Sequence, residues 1–406
     1  MTQVIAALDI GTSKVVALVA ELGADTGHTP KVIGFAETPA SGMRKGMVVD
    51  IEATTAAVAT AVKNAAAMAN CKLSQVFVSL GGAHLRSQNS IGMVAMKELE
   101  VTEFEIERVI ETARTVAIPN YLYLLHTLPL VYIIVGLVGV LRPLGRSGRR
   151  LEVKAHLITG AQSAIDNIEK CVRRAGLAVE ELVVQPLASA TACLTPEEID
   201  IGVGLLDIGA GTTDFALYAN GAIRHTGVVP IAGDQITNDI AMALRTSSKE
   251  AADIKHAHGC AMTKLVPPEE LIEVVGVGDR PAKLMARHLL AEVVEPRVEE
   301  LFQLVHEQIR GSGLEPFLRS GYVLTGGSAR LPGIAELAEE VFHAPVRIGR
   351  PAYAGPLHDV LQAPQYAAAV GLLLHARDSY DRRSALARRD RTGLGWVGKL
   401  RDVFGL

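Results

Sequence analysis

Along this chain the hydrophobic positions switch between a period of two, as in strands, and a period near 3.6, as in helices. "VIAALDIGTSKVVALVAEL" and "KVIGFAETPA" read as strands joined by turns. An Ala-rich helix then spans about Ile51 to Ala69, and the apolar strand "QVFVSLGG" follows. "TEFEIERVIETARTVA" (102–117) predicts a helix opened by a capping box of Thr102 and Glu105 and stopped before Pro119. "RRLEVKAHLITG" alternates like a strand, and "AQSAIDNIEKCVRRAGLAV" is helical, with Gly176 where a C-cap belongs. From Gly202 the opening pattern returns as "GVGLLDIGAGTTDFALYANGAIRHTGVVP", three short strands joined by Gly turns. Strands interleaved with long helices give an α/β class. The repeat of Leu-Asp-Ile-Gly at 8–11 and 206–209 implies two similar α/β halves. A second pair of Gly-Gly strand ends, "VFVSLGGAHL" and "YVLTGGSARL", fits the same duplication.

One stretch breaks the pattern. Tyr121 to Leu141 runs for 21 residues without a charged side chain, which is long enough to cross a bilayer. A single crossing there would put Asp9 and Asp207 on opposite sides of a membrane. Pro129, Gly136 and Gly139 interrupt any helix, and "VYIIVGLVGV" suits a strand. The stretch is therefore expected to be a strand, covered by a partner subunit or else an aggregation liability.

Composition narrows the function. A net charge of −4 gives no field of the kind that gathers nucleic acid, so that class of partner is set aside. Four cysteines at 71, 171, 193 and 260 form neither a CxxC pair nor a disulfide framework. The N-terminus lacks a basic n-region and has Asp9 inside its apolar run, so the chain is expected to stay inside the cell. No GxxxxGK[ST] is present, which removes a P-loop mechanism, and "GLGWVG" near the C-terminus matches GxGxxG by chance, with no strand before it.

The repeated corner carries the chemistry. A tight Gly turn lets backbone N–H groups approach anionic oxygens, and a short Ser or Thr adds a hydroxyl donor. The carboxylate before each turn, Asp9 or Asp207, is then placed to hold Mg²⁺ through water. Lys14 can neutralise a phosphate. Two such hairpins, one per half, can clamp one triphosphate from both sides, and "VLTGGSARLPG" adds a third glycine-rich corner suited to a flat base and ribose.

"LDIGTSK", "LLDIGAGTTDF" and "YVLTGGSARLPG" resemble the phosphate 1, phosphate 2 and adenosine motifs of the actin, Hsp70 and sugar-kinase ATPases. Within that superfamily, "RHTGVVPIAGDQITNDIAMAL", "AADIKHAHGCA", "LAEVVEPRVEELF" and "VFHAPVRIGRP" are similar to the bacterial cell-division actin homologues of the FtsA family, a likeness running from residue 3 to about 376. The resemblance implies an actin-like fold of two halves around a nucleotide cleft. Subdomain 1A would comprise 1–83, 162–195 and 365–376. An inserted subdomain 1C would occupy 84–161, 2A would take 196–240 and 320–364, and 2B 241–319. It implies ATP and Mg²⁺ as cofactors. Gly11, Thr12, Ser13 and Lys14 would face Gly209, Ala210, Gly211, Thr212 and Thr213 across the phosphates, and Asp9, Asp207 and Asp214 would organise the metal. Gly326, Gly327 and Ser328 would lie by the adenosine. Lys255 would sit near ribose or base, or else be an exposed helix lysine. Gln185 either orients a water, with Asp207 as its catalytic companion, or simply starts a helix. The family's usual DIGGGT reads DIGAGT here; were Ala210 to need φ > 0, the loop would be strained and hydrolysis, slow at most, would suffer. The implied partners are the C-terminal peptide of FtsZ on 2B, further copies of the chain in filaments, and later division proteins. Arg297 is a contributor on 2B or an ordinary ion-paired arginine. The rival readings are a PilM-like pilus assembly protein and a metabolic kinase of the superfamily.

The C-terminus adds a membrane. In "TGLGWVGKLRDVFGL", Trp396, Val397, Leu400, Val403 and Phe404 fall within about a third of a helical wheel. An arginine-rich linker, 377–392, precedes this segment of 393–406. Together they read as an interfacial anchor for an anionic lipid surface, which places the protein peripherally on the cytoplasmic side of the inner membrane at the septum, as the resemblance also implies.

Overall fold

The computed structural model describes residues 3–23, 29–97, 99–134, 137–276 and 281–381. The tail segment 393–406 and the linker beyond residue 381 lie outside them.

The first half opens with strands β1 (Gln3–Ile10), β2 (Lys14–Leu22) and β3 (Lys31–Pro39) and the two-residue pair β4 (Met43–Arg44) and β5 (Met47–Val48). Helix α1 (Ile51–Met68) follows, begun by Asp50, whose side chain accepts from the Ala53 N–H, and leads to β6 (Gln75–Leu80). An insertion then supplies β7 (Arg86–Ala95), α2 (Glu103–Arg114), β8 (Leu122–Ile134), β9 (Leu137–Val140) and β10 (Arg150–Ala161). Helix α2 starts after its N-cap Thr102, as the sequence predicts, and ends at Arg114, three residues short of the expected 117, its C-cap being Thr115. The chain returns through α3 (Gln162–Arg174), β11 (Ala178–Val184), α4 (Gln185–Cys193) and α5 (Pro196–Ile201).

The second half repeats the first. Strands β12 (Val203–Ile208), β13 (Thr213–Ala219) and β14 (Ala222–Val229) lead to α6 (Gly233–Leu244) and α7 (Ser248–His258). A small hairpin, β15 (Leu271–Val274) and β16 (Lys283–Ala286), precedes the long α8 (Arg287–Gly311). Then come β17 (Tyr322–Thr325), α9 (Ile334–Phe342), β18 (Val346–Ile348), the short α10 (His358–Leu361) and a helix through 367–381. The sheet orders are β3-β2-β1-β6-β11 and β14-β13-β12-β17-β18, each with an antiparallel meander on one side and two parallel strands on the other. The duplicated motif is thus a duplicated topology. Between the sheets, α4 and the helix at 367–381 cross so closely that a Cβ on Gly371 would fall 1.8 Å from the Ala188 carbonyl oxygen.

The insertion forms its own sheet, ordered β7-β10-β8-β9. The uncharged stretch is strand here, as expected, and much of it is covered from within the chain. On one face Leu124, Tyr132, Ile134 and Val140 pack with Val109 and Ala113 of α2. On the other, Leu128, Leu130 and Val131 meet Ala216, Tyr218 and Ile223 of the second half's sheet. His126 accepts from the Val184 N–H of the first half at 3.2 Å. From Leu124 to Ile134 the strand, wedged between two halves, has no fully exposed residue, so charge is absent along it, while Tyr121 and Tyr123 before it are exposed. No helix among the described residues is long and apolar enough to cross a membrane.

Candidate functional site

The two Asp-Ile-Gly corners are superposable in detail. Ile10 pairs with Val15 and the Gly11 N–H donates to the Lys14 carbonyl at 2.9 Å; Ile208 pairs with Thr213 and the Gly209 N–H donates to the Thr212 carbonyl at 3.0 Å. The turns also meet. A Cβ on Gly211 would lie 2.5 Å from Thr12 Oγ1 and 2.9 Å from the Cα of Lys45. Thr12 Oγ1 in turn accepts from the Gly46 N–H at 3.2 Å. Ala210 is not among the residues with positive φ, so the expected strain in this loop is absent. Its methyl replaces a glycine at no backbone cost; Gly211 is the position where only glycine fits.

Three carboxylates ring this junction. Asp9 Oδ1 accepts from Ser79 Oγ at 2.5 Å and from Gln185 Nε2 at 3.1 Å. Gln185 is the first residue of α4, as one sequence reading has it, and its side chain reaches Asp9 from there. It fits because Gly81 is bare: a Cβ there would fall 1.9 Å from Gln185 Oε1. Asp207 Oδ2 accepts from Ser189 Oγ at 2.5 Å, and Gly326, at φ 88°, passes its other oxygen with no room for a side chain. Asp214 accepts from Thr212 Oγ1 at 2.8 Å and from the Gly82 N–H of the opposite half at 3.5 Å. Burial pushes the Asp207 carboxyl up to about 7, against the Ser189 hydrogen bond and with the fields of Asp214 and Asp9 adding to the shift. Burial raises Asp214 to about 6, opposed by Thr212 and Gly82. Such a set is short of positive charge. Among the described residues no group of three or more His, Cys, Asp and Glu could hold a metal ion.

Lys14 sits beside its turn, but its ammonium donates to Glu37 Oε2 at 2.9 Å and lies 4.4 Å over the Tyr366 ring. Ser13 lends its carbonyl to the Ala40 N–H, and Thr213 Oγ1 donates to the Ile231 carbonyl. On the far side of the second corner, Ser328 Oγ donates to the Gly209 carbonyl at 2.8 Å. The first turn of α6 docks there too, Gly233 N–H on Gly209 O at 3.1 Å and Asp234 N–H on Ala210 O at 2.8 Å. Lys255 Nζ donates to Gly233 O and Thr237 Oγ1, each at 2.8 Å. It is a half-buried lysine of this cluster, its pKa lowered by burial, and not a free surface side chain. A side chain at Gly327 would meet nothing nearer than Gln365, at 4.0 Å, so open space lies beside this corner. Arg297 donates to both carboxylate oxygens of Asp239, at 2.5 and 3.2 Å, and to Glu300. Trp396, Val397, Leu400, Val403 and Phe404 are outside the described residues.

Ser79, Gly81, Gly82, Ser189 and Gly233 belong to the site without being candidates from the sequence; the Gly-Gly end of β6 is the signal that marks Gly81 and Gly82. Nothing marks Ser189 or Gly233 until α4 and α6 are packed against the corners.

Two duplicated sheets, each with an acid-glycine corner turned toward the other, define the actin-like ATPase fold. The PilM–PilN type IV pilus biogenesis complex has this fold, at TM-score 0.65 and 21% identity over 91% of this chain and 98% of that one. So does MreB5 of Spiroplasma citri bound to ADP, at 0.56 and 14%, covering 93% and 98%. The family model described as "Cell division protein FtsA" matches residues 204–371, and that of the "SHS2 domain inserted in FTSA" matches 82–159. The chain is 51% identical over 373 residues to the cell division protein FtsA of Pseudomonas aeruginosa, covering 92% of this chain and 89% of that one. It is 41% identical to that of Escherichia coli K12 over 407 residues, covering 98% and 96%. The chain belongs to the FtsA family of cell division proteins.

Proposed function

We propose that this chain binds ATP with Mg²⁺ between its two corners, polymerises, and tethers the FtsZ ring to the cytoplasmic face of the inner membrane, where it helps recruit later division proteins. The meeting of Gly211 with Thr12 across the halves carries the reading, because two phosphate turns act on one nucleotide only if they share a cleft. Gly11, Thr12, Ser13 and Lys14 would take the phosphates from one side and Gly209 through Thr213 from the other. Lys14 would exchange Glu37 for phosphate. Asp9, Asp207 and Asp214 would hold the waters of the metal, which supplies charge neutralisation for the triphosphate. Gln185, held by Asp9, would orient a water, with Asp207 as its catalytic companion; hydrolysis would be slow at most. Gly326, Gly327 and Ser328 border the open space suited to adenosine, with Lys255 behind them.

Arg297 is bound by both oxygens of Asp239 and by Glu300, and this cluster would present the charged edge of residues 241–319 to the FtsZ peptide. The tail, 393–406, would supply the membrane anchor. Calorimetric titration with ATP tests the centre of this reading: binding that needs magnesium is expected, and absence of binding in both magnesium and chelator would overturn it. Vesicle flotation of the chain lacking 393–406 tests the anchor, with loss of flotation expected.

A further inference from the structure

The inserted sheet ends in a loop whose composition differs from everything around it. Residues 141–150 read Leu-Arg-Pro-Leu-Gly-Arg-Ser-Gly-Arg-Arg, four arginines with no acid. The loop is not loose. Met96, Leu99 and Val101 pair with it through Met96 N–H on Arg149 O at 3.0 Å, Gly148 N–H on Leu99 O at 2.7 Å, Gly145 N–H on Val101 O at 2.9 Å and Val101 N–H on Arg146 O at 2.8 Å. This ladder holds Leu99, Leu141 and Leu144 out, at 65%, 49% and 49% exposure. Between them Arg142, Arg146 and Arg149 are exposed and make no ion pair among the described residues. Arg150 is engaged by Glu152 at 2.5 Å, and the carboxylate of Glu100 lies by Gly145.

Exposed leucines alternating with unpaired guanidiniums on a fixed loop make a surface with two chemistries at once. Leucines gain by leaving water, and guanidiniums gain by meeting phosphate in bidentate geometry. An acidic peptide would satisfy the arginines and leave the leucines wet. A headgroup layer satisfies both, because the acyl boundary lies directly beneath the phosphates.

We infer that the loop 141–149 is a second membrane contact, which takes anionic phospholipid through Arg142, Arg146 and Arg149 while Leu141 and Leu144 enter the interface. It extends the peripheral-membrane reading above but rests on a different part of the chain. The loop and the tail would act as two weak sites on one surface, each raising the effective concentration of the other.

The chain has one tryptophan, Trp396, so a full-length L144W variant in a W396F background reports on the loop alone. Its emission should shift to the blue on vesicles of phosphatidylcholine with phosphatidylglycerol, and stay unshifted on pure phosphatidylcholine. In the otherwise unaltered chain, R142E/R146E/R149E should weaken sedimentation with the anionic vesicles at least tenfold, since each arginine near such a surface is worth about fivefold. The effect should shrink as salt rises. R142Q/R146Q/R149Q, a milder change, should give a smaller loss, and circular dichroism should match the parent for both. An unshifted tryptophan with unchanged sedimentation overturns the proposal, as does a shift seen only with poly-glutamate, which would make the loop an acidic-protein site. Failure of the tail to anchor would move the tryptophan shift to higher lipid concentration without abolishing it, so the two readings fail separately.

Discussion

At the scale of single residues, the second corner separates a permissive position from a strict one. Ala210 has an ordinary backbone, while Gly211 faces Thr12 Oγ1 and Lys45 at distances no methyl tolerates. A210G is therefore expected to leave ATP affinity within about twofold, since its gain in chain freedom costs only about 0.5–1 kcal/mol of stability. G211A should weaken ATP binding tenfold or more by prising the corners apart, with calorimetry as the measurement. The motif Asp-Ile-Gly was legible from the sequence because its chemistry is local. The identity of the strict glycine was not, since the atoms that forbid a side chain belong to the other half.

At the scale of elements, β8 is the joint between three sheets. Leu130, 5% exposed, packs on Ala216 and Ile223, and beside it His156 bridges Asn89 Oδ1 at 2.8 Å and Thr226 Oγ1 at 3.0 Å. L130A should cost about 2–5 kcal/mol in urea unfolding, the range for a leucine removed from a core. Burial, with the nearby His225 adding to it, lowers the His156 pKa to about 4, so the folded state holds the ring neutral. The unfolded chain then binds the extra proton between about 4 and 6.5, and the stability from this group is full above about 6.5 and lost as pH falls toward 4. H156Q should flatten the acid side of the stability profile by up to about 1.4 kcal/mol per pH unit; an unchanged slope would show that the ring is not held neutral. His84 and His126 share the direction and the value of about 4. Asp207 and Asp214 act oppositely, their raised values costing stability as pH rises above about 4. The absence of charge along β8 was visible at once, but not its reason, because strand periodicity reports how many faces are dry and never what dries them.

At the scale of the whole molecule, two sheets of one topology are locked by α4 against the helix at 367–381, and the corners are the points where the halves touch across the cleft. ATP with magnesium should stabilise this assembly by mass action, by about 2.7 kcal/mol at a hundredfold excess over Kd. A thermal-shift series in which the rise in Tm tracks ATP only when magnesium is present would register it. The sequence by itself determined the α/β class, the internal repeat, the helix start at Thr102 and the two acid-glycine turns, because periods, caps and turns act over a few residues. Only the tertiary structure decided that the turns face each other, that Gln185 reaches Asp9 across 176 positions, and that the middle of a bilayer-length apolar run is wedged against the second half's sheet. Those facts depend on which surfaces meet, and a one-dimensional pattern carries the wish to be buried without naming the partner.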